Sequence, residues 1–535
     1  MWGLGKTMKT QVQYFAKILF SLSFVAMVMY AVNATHIGSP TILIFAAAVG
    51  AYMALNIGAN DVANNVGTAY GAGALTMAGA IVIAIIFTSA GALIAGGGVV
   101  ETIKKGIIDP SKIEDVKVFV WIMLAALLSA AIWLNISTAM GAPVSTTHSI
   151  VGGVMGAGIA AGGWDIVEWS QMARIAASWI ISPVLGGVIA AGFLLFIKTK
   201  MVFQDDMIGS AKKNVPILVA LMSLAFVTFI TLVGFGKIWT PICSVLTFSP
   251  DTQKPSFLIA LSFAAIVSAI VYFLMVPYVA KRALTLNNNR ADINSLFKVP
   301  LIFAAALLSF AHGTNDVANA VGPLAAINEV LTATTLENRV AIPLWVMIIG
   351  ALGLSVGLAL FGPRLIKTVG NEITELDSMR AFSVGMAAAV TVILASVLGL
   401  PVSSTHIAVG AIFGVGLLRE WLIARKIEES HTSRLAIYKN EDEDVLDFIA
   451  RFEESSLIDQ ERILCSIKRG KCILHGEDAH ELTQEEHQHL KKLFRRILVK
   501  RNAVKKIFTA WIITVPISAA LSAFFFFAIR GFLIV

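Results

Sequence analysis

Charge is what this chain has least of. Asp, Glu, Lys and Arg make up 14% of its 535 residues, where a soluble protein carries roughly a quarter. That shortage excludes an ordinary soluble globular class. Cysteine is scarce as well: Cys243, Cys465 and Cys472 are too few for a disulfide framework. Short stretches alternating polar with apolar are missing, which excludes a membrane β-barrel. What is present is apolar. Hydrophobic residues reach 57% and the mean hydropathy is +0.79. Many runs approach the roughly 20 apolar residues that a bilayer-crossing helix needs. The net charge of +7 is no nucleic-acid signal, because most basic residues lie in loops between apolar runs, where they set orientation. The chain reads as an all-α polytopic membrane protein whose surroundings are the lipid bilayer.

Along the chain, residues 1–40 read as an extra N-terminal span, with Lys6, Lys9 and Lys17 before the apolar run Ile18 to Val32. The alternative, a signal peptide cut near Ala34, has a poor small-residue cleavage pattern. Residues 41–200 hold five apolar elements, near 41–69, 74–97, 117–138, 143–163 and 173–197. Two linking spans, near 215–236 and 256–280, occupy 201–298. A second set of five lies in 299–421 and 507–535, near 299–322, 341–362, 381–400, 403–421 and 507–530. The interruption, 422–506, is charged and helically patterned, with Val445, Phe448, Ile449 and Phe452 at three- and four-residue spacing. It reads as a small helical cytoplasmic domain. Its Cys465, Cys472 and His475 match no strong zinc spacing. The positive-inside rule puts the basic loops 198–214, 281–298 and 363–380 on the N-terminal, cytoplasmic side. The loop 101–117 falls outside despite Lys104, Lys105, Lys112 and Lys117.

Two five-element units separated by two spans must enter the bilayer in opposite senses, and their sequences match. Gly58-Ala59-Asn60-Asp61-Val62-Ala63-Asn64-Asn65 pairs with Gly313-Thr314-Asn315-Asp316-Val317-Ala318-Asn319-Ala320. Pro143-Val144-Ser145-Thr146-Thr147-His148 pairs with Pro401-Val402-Ser403-Ser404-Thr405-His406. Trp179-Ile180-Ile181-Ser182-Pro183 pairs with Trp511-Ile512-Ile513-Thr514-Val515-Pro516. Two inverted five-span repeats of this kind are a transporter architecture, with the binding site between them.

A carboxylate beside carboxamides in an apolar setting is costly and marks an ion or substrate path. Asn60, Asp61, Asn64, Asn315, Asp316 and Asn319 offer hard oxygen ligands for a cation such as Na⁺, with Asp61 and Asp316 as its charged ligands; alternatively the aspartates carry protons. Proline suits the first turn of a helix and Ser or Thr its cap, so each Pro block reads as the start of a broken half-helix. Free N–H groups and hydroxyls there bind oxyanions well. Ser145, Thr146, Thr147, Ser403, Ser404 and Thr405 are therefore the candidate anion ligands, although such residues also pack helices together. His148 and His406 either assist the anion or satisfy a backbone partner. His312 has Ile57 as its counterpart and carries less weight. Nothing here resembles a nucleophile with its base and orienting acid, so an enzyme has little support and no cofactor is expected.

At these residues the chain resembles the inorganic phosphate transporter (PiT) family of sodium– or proton–phosphate symporters. The resemblance covers roughly 41–200, 299–421 and the last span. It implies a twelve-span core and cation-coupled import of inorganic phosphate by alternating access. It assigns Asp61, Asn64, Asp316 and Asn319 to the cation, and the six hydroxyl residues to phosphate and sodium. The Gly-Ala-Asn-Asp wording is closer to sodium-coupled members than to proton-coupled ones. A proton-coupled phosphate or sulfate symporter is the near alternative; an anion channel or a phosphate sensor signalling through 422–506 is the distant one. The resemblance also implies a multi-pass protein of a bacterial inner membrane and leaves a homodimer open.

Overall fold

The computed structural model describes residues 2–35, 41–113, 115–140, 144–235, 239, 255–333, 342–372, 377–429 and 501–533. Its helices in chain order are α1 (Trp2–Thr35), α2 (Thr41–Gly71), α3 (Met77–Ala95), α4 (Gly97–Lys105), α5 (Val116–Ala139), α6 (Thr146–Gly162), α7 (Trp169–Ile197) and α8 (Met207–Phe229). There follow α9 (Phe257–Ala283), α10 (Arg290–Leu296), α11 (Lys298–Asp316), α12 (Ala318–Ala333), α13 (Leu344–Glu372), α14 (Ser378–Val397), α15 (Ser404–Glu429) and α16 (Arg501–Leu533). Among the described residues, eleven helices are long and apolar enough to cross a membrane. The chain is a multi-pass membrane protein. It divides into two compact units, residues 1–414 with 503–535, and residues 415–502. Most of the second unit, including the helical pattern at 445–452 and the cysteines Cys465 and Cys472, lies outside the described residues, as does Cys243.

Three local expectations need correction. The half-helices do not start at proline. Ser403 is the residue before α15, and its hydroxyl accepts the His406 N–H; Pro401 precedes it in the connection. Ser145 caps α6 in the same way. Each helix begins where a side chain can satisfy its free N–H groups, and that is at the serine. The element expected at 299–322 is two helices, α11 and α12, meeting at Val317 directly after Asp316. The equivalent α2 runs through its motif unbroken. Finally, the residues after 100 are not yet loop, because α4 carries the chain on to Lys105.

The first unit is packed through contacts that recur when its halves are exchanged. Gly58 lies against the Leu354 backbone and Gly313 against the Thr88 backbone. Gly357 meets Leu55, and Gly91 meets Phe310, in the same reciprocal manner. A Cβ at Gly58 or Gly313 would collide with main-chain atoms, so only glycine lets these helices approach; small residues are how membrane helices pack closely. Where equivalent residues touch each other, they mark the axis relating the halves. Ser89 and Ser355 share a hydrogen bond of 2.6 Å there, and the His148 and His406 rings meet at 4.5 Å between centroids. Gly353 lies against Ala51 and Ala54, Gly357 against Leu55, and Gly362 against Val62. The numbers rise together, so α2 and α13 run in the same direction. Since α3, the counterpart of α13, turns back from α2 through 72–76, the two halves point opposite ways.

One feature breaks this symmetry. Lys104 on α4 is 1% exposed and pairs with Glu329 on α12 and with Glu101; Lys105 pairs with Glu329 at 2.7 Å. Of the equivalent positions in the other half, Gly370, Asn371 and Ala74 carry no charge, and Lys367 stands in place of Glu101. Removing one member of a buried ion pair typically costs about 3–5 kcal/mol. Glu329→Gln strands two lysines, whereas Lys105→Gln leaves Lys104 to hold Glu329. The thermal midpoint in detergent is expected to fall clearly for Glu329→Gln and much less for Lys105→Gln. Equal, small shifts would mean that the cluster carries no stability.

Candidate functional site

The two motif pairs converge on one buried place in the first unit. Asp61, near the middle of α2, and Asp316, the last residue of α11, are both fully buried. The tips leading into α6 and α15 come from the two halves and meet them. Each tip is held by an asparagine. The Asn60 amide donates to the Val144 carbonyl at 3.1 Å. The Asn315 amide donates to the Leu400 carbonyl at 3.1 Å, and its oxygen accepts from the Val402 N–H at 3.2 Å. Asn315 is therefore spent on holding a tip. Asn60 also donates to Asp61 Oδ1 at 2.8 Å. Thr102 on α4 steadies the second tip from outside, donating to the Gly399 carbonyl, where the backbone takes a positive φ of 66°.

The three hydroxyls of each block do three different things, because successive residues on a helix point about a quarter-turn or more apart. The first, Ser145 or Ser403, caps its helix and keeps its own O–H free to donate. The second binds the aspartate of its own half: Thr146 donates to Asp61 Oδ2 at 3.1 Å and Ser404 to Asp316 Oδ2 at 2.8 Å. The third reaches across. Thr405 accepts from Asn64 at 2.8 Å and donates to Asp61 Oδ1 at 3.3 Å. Thr147 accepts from Asn319 at 3.2 Å and donates to the Val402 carbonyl. Asn319 also donates to Thr146 at 3.3 Å. The two halves are interlocked through the residues singled out in the sequence.

His148 and His406 lie one turn behind the tips. His148 packs on Trp179 at 3.8 Å and His406 stacks on Trp511 at 3.5 Å. The Trp179 indole N–H donates to the Pro401 carbonyl at 3.0 Å, so a tryptophan of one half braces the tip of the other. This is a packing arrangement on the axis.

His312 is the residue the sequence reading underweighted. It is 1% exposed, with Nε2 at 3.0 Å from Asp316 Oδ2 and 3.7 Å from Asp61 Oδ2. Ligand atoms of Asp61, His312 and Asp316 all lie within 4.8 Å of one another. Its signal was its place four residues before Asp316, on the same helix face. Asn65, buried four residues after Asp61 on α2, has no hydrogen-bond partner among the described residues for either end of its carboxamide.

Some acceptors here lack donors. Among the described residues, Asp316 Oδ1 and Asn319 Oδ1 are buried with no hydrogen-bond partner. A buried carboxylate oxygen without a donor is costly, and a hard cation is what such oxygens accommodate. Two carboxylates within 4.8 Å repel by about 3 kcal/mol at an effective dielectric constant near 20. The centre calls for positive charge between them. His312 can supply it, and so can a bound cation.

A model of the phosphate transporter family matches residues 57–522. A Helicobacter pylori (strain J99) protein named "Putative phosphate permease" is 48% identical over 502 residues, covering 92% of this chain and 90% of that one. A Pyrococcus abyssi protein of the same description is 39% identical over 371 residues, 69% of this chain and 87% of that one. Among solved structures, one titled "The sodium-dependent phosphate transporter" superposes with a TM-score of 0.71 at 30% identity, covering 92% of this chain and 99% of that one.

Proposed function

Because the chain belongs to the phosphate transporter family, we propose that it imports inorganic phosphate together with a cation, Na⁺ foremost, by alternating access between its two halves. The observation that supports this best is the pairing of Asp61 and Asp316, one from each half, in a single buried centre with unpartnered oxygens on Asp316 and Asn319. Cation ligands would be Asp61, Asp316, Asn319 and Asn64, with Asn60 and Asn315 acting on the tips. Phosphate would sit at the starts of α6 and α15. There, helix N-termini favour an anion, and Ser145 and Ser403 hold hydroxyls free to donate. The cation's role is electrostatic: without it, two carboxylates would repel the phosphate. Rearrangement of Thr147 and Thr405, whose bonds cross between halves, would accompany opening. The proposed setting is a bacterial inner membrane with 422–506 in the cytoplasm.

One observation favours a second reading. His312 between the two carboxylates gives a proton a place to reside, so H⁺ could replace Na⁺ as the coupled ion. Radiolabelled phosphate uptake into vesicles separates them. An inward Na⁺ gradient at uniform pH is expected to drive accumulation, with little competition from sulfate. Accumulation that follows a pH gradient and ignores Na⁺ would move the coupling to protons. Currents that continue with no cation gradient would make the protein a channel.

A further inference from the structure

Between Ala46 and Ala69 on α2, four residues alone are not buried: Tyr52, Asn56, Asn60 and Asn64. They recur at every fourth position, so they follow one helix face, and all four are polar. At 1.5 Å per residue the row runs about 18 Å, from beside the Asp61–Asp316 centre towards the start of α2. A helix that faces lipid presents apolar side chains, as α9 does with Leu258, Ile266, Ile270 and Phe273. Carboxamides turned towards hydrocarbon are costly. The α2 face therefore lines water.

The far end of the row is tied to α5. Asn135, exposed on α5, donates to the Tyr52 hydroxyl at 2.7 Å and to Asn56 Oδ1 at 3.0 Å, and Asn56 donates to the Tyr52 carbonyl at 2.9 Å. Both Asn135 N–H groups are spent, and among the described residues its carboxamide oxygen has no protein donor. Ile136 and Met140, also exposed on α5, lie about 100–140° round the helix from Asn135 and belong to another face. The matching row of the other half is shut. Leu307, Ala311, Asn315 and Asn319 are its four residues, and all are buried. Ile393, ten residues before Ser403 as Asn135 is ten before Ser145, is buried too.

We propose that Tyr52, Asn56 and Asn135 line a water-filled approach by which the hydrated cation reaches the Asp61–Asp316 centre, open along α2 while the matching approach along α11 is closed. Two buried carboxylates draw a cation along such a row. Carboxamide and phenol oxygens take over part of its hydration shell and still let it move on. What passes along the row rests on the cation-coupled reading given above; the existence of the path rests on the exposed polar face of α2.

The test has two parts, both on the full-length protein in sealed vesicles. In the first, Cys243→Ser, Cys465→Ser and Cys472→Ser remove the native thiols, and Tyr52→Cys, Asn56→Cys, Leu307→Cys or Ala311→Cys is added singly. A charged, membrane-impermeant methanethiosulfonate is expected to label Tyr52→Cys and Asn56→Cys about tenfold faster than the other two, because access to water governs thiol reactivity. Labelling should come from one side of the bilayer only. Asn56→Cys reacting no faster than Leu307→Cys overturns the path. Ready disulfide cross-linking of Asn56→Cys to a second copy of the chain also overturns it, in favour of a subunit interface. In the second part, Asn135→Leu is expected to raise the Na⁺ concentration for half-maximal phosphate uptake about tenfold, the order of one lost contact to an ion, and to do so more than it lowers the maximal rate. Asn135→Gln should recover most of the loss. An unchanged Na⁺ half-saturation in Asn135→Leu, with normal uptake by the unaltered protein, removes the cation from the path. Fast labelling of Asn56→Cys in a protein with no Na⁺-driven uptake supports the path and counts against the coupling reading alone.

Discussion

Asp316→Asn is expected to lower cation-driven phosphate uptake about 10²-fold while leaving expression and detergent stability near those of the unaltered protein. A hydrogen bond or ligand contact to a charged group is worth about 1.5–3 kcal/mol, and 2.7 kcal/mol is about 10²-fold. Asparagine has the same shape and still accepts from Ser404, so the helix tip stays attached. What it loses is the charge, and the unpartnered Oδ1 no longer draws a cation. Asp61→Asn is expected to be as inactive but less stable. Both Asp61 oxygens already accept, from Asn60, Thr146 and Thr405, and the carboxamide's nitrogen cannot. Uptake in proteoliposomes at a fixed Na⁺ gradient, with the Na⁺ concentration for half-maximal rate, is the measurement. Normal uptake with unchanged Na⁺ dependence in Asp316→Asn would remove the cation role.

The second large effect concerns His312. His312→Leu copies the apolar Ile57 of the other half and leaves two carboxylates facing each other across less than 5 Å. The repulsion of about 3 kcal/mol at an effective dielectric constant near 20 then falls on whatever cation is bound. Uptake is expected to drop by about 10²-fold, and added Na⁺ should raise the thermal midpoint more than it does in the unaltered protein. His312→Gln keeps a donor towards Asp316 and should retain part of the activity. If His312→Leu transports within twofold of normal and its midpoint responds to Na⁺ no more than before, the histidine has no part in the centre.

The convergence of the motifs was legible because it was written twice. Asn60 with Asp61 and Asn315 with Asp316 repeat a costly pattern, and Ser145 and Ser403 announce helix starts in apolar segments. Repetition also misled. His312 has no twin, so a reading built on symmetry discounted the side chain that sits between the two aspartates. The division of labour among Thr146, Thr147, Ser404 and Thr405 was beyond the sequence. Neighbours on a first turn face different ways, and only the packed halves decide which way is own and which is across. Asn315 reads in the sequence as a cation ligand, yet both ends of its carboxamide hold the backbone of the second tip. Lys104 read as one of four lysines in a loop. Its burial depends on Glu329, and nothing local to residue 104 announces a partner so far along the chain.

The charges around Glu329 bear on how the carrier rests. A machine of two interchangeable halves has two terminal states that mirror each other, and by themselves they are degenerate in free energy. Here Lys104, Lys105, Glu101 and Glu329 clasp α4 to α12, and the counterparts of Lys104, Lys105 and Glu329 in the other half are the uncharged Gly370, Asn371 and Ala74. Parting α4 from α12 breaks these ion pairs, and Gly370, Asn371 and Ala74 cannot form their like. Under the alternating access proposed above, the resting population is expected to lean towards the state in which that clasp is shut.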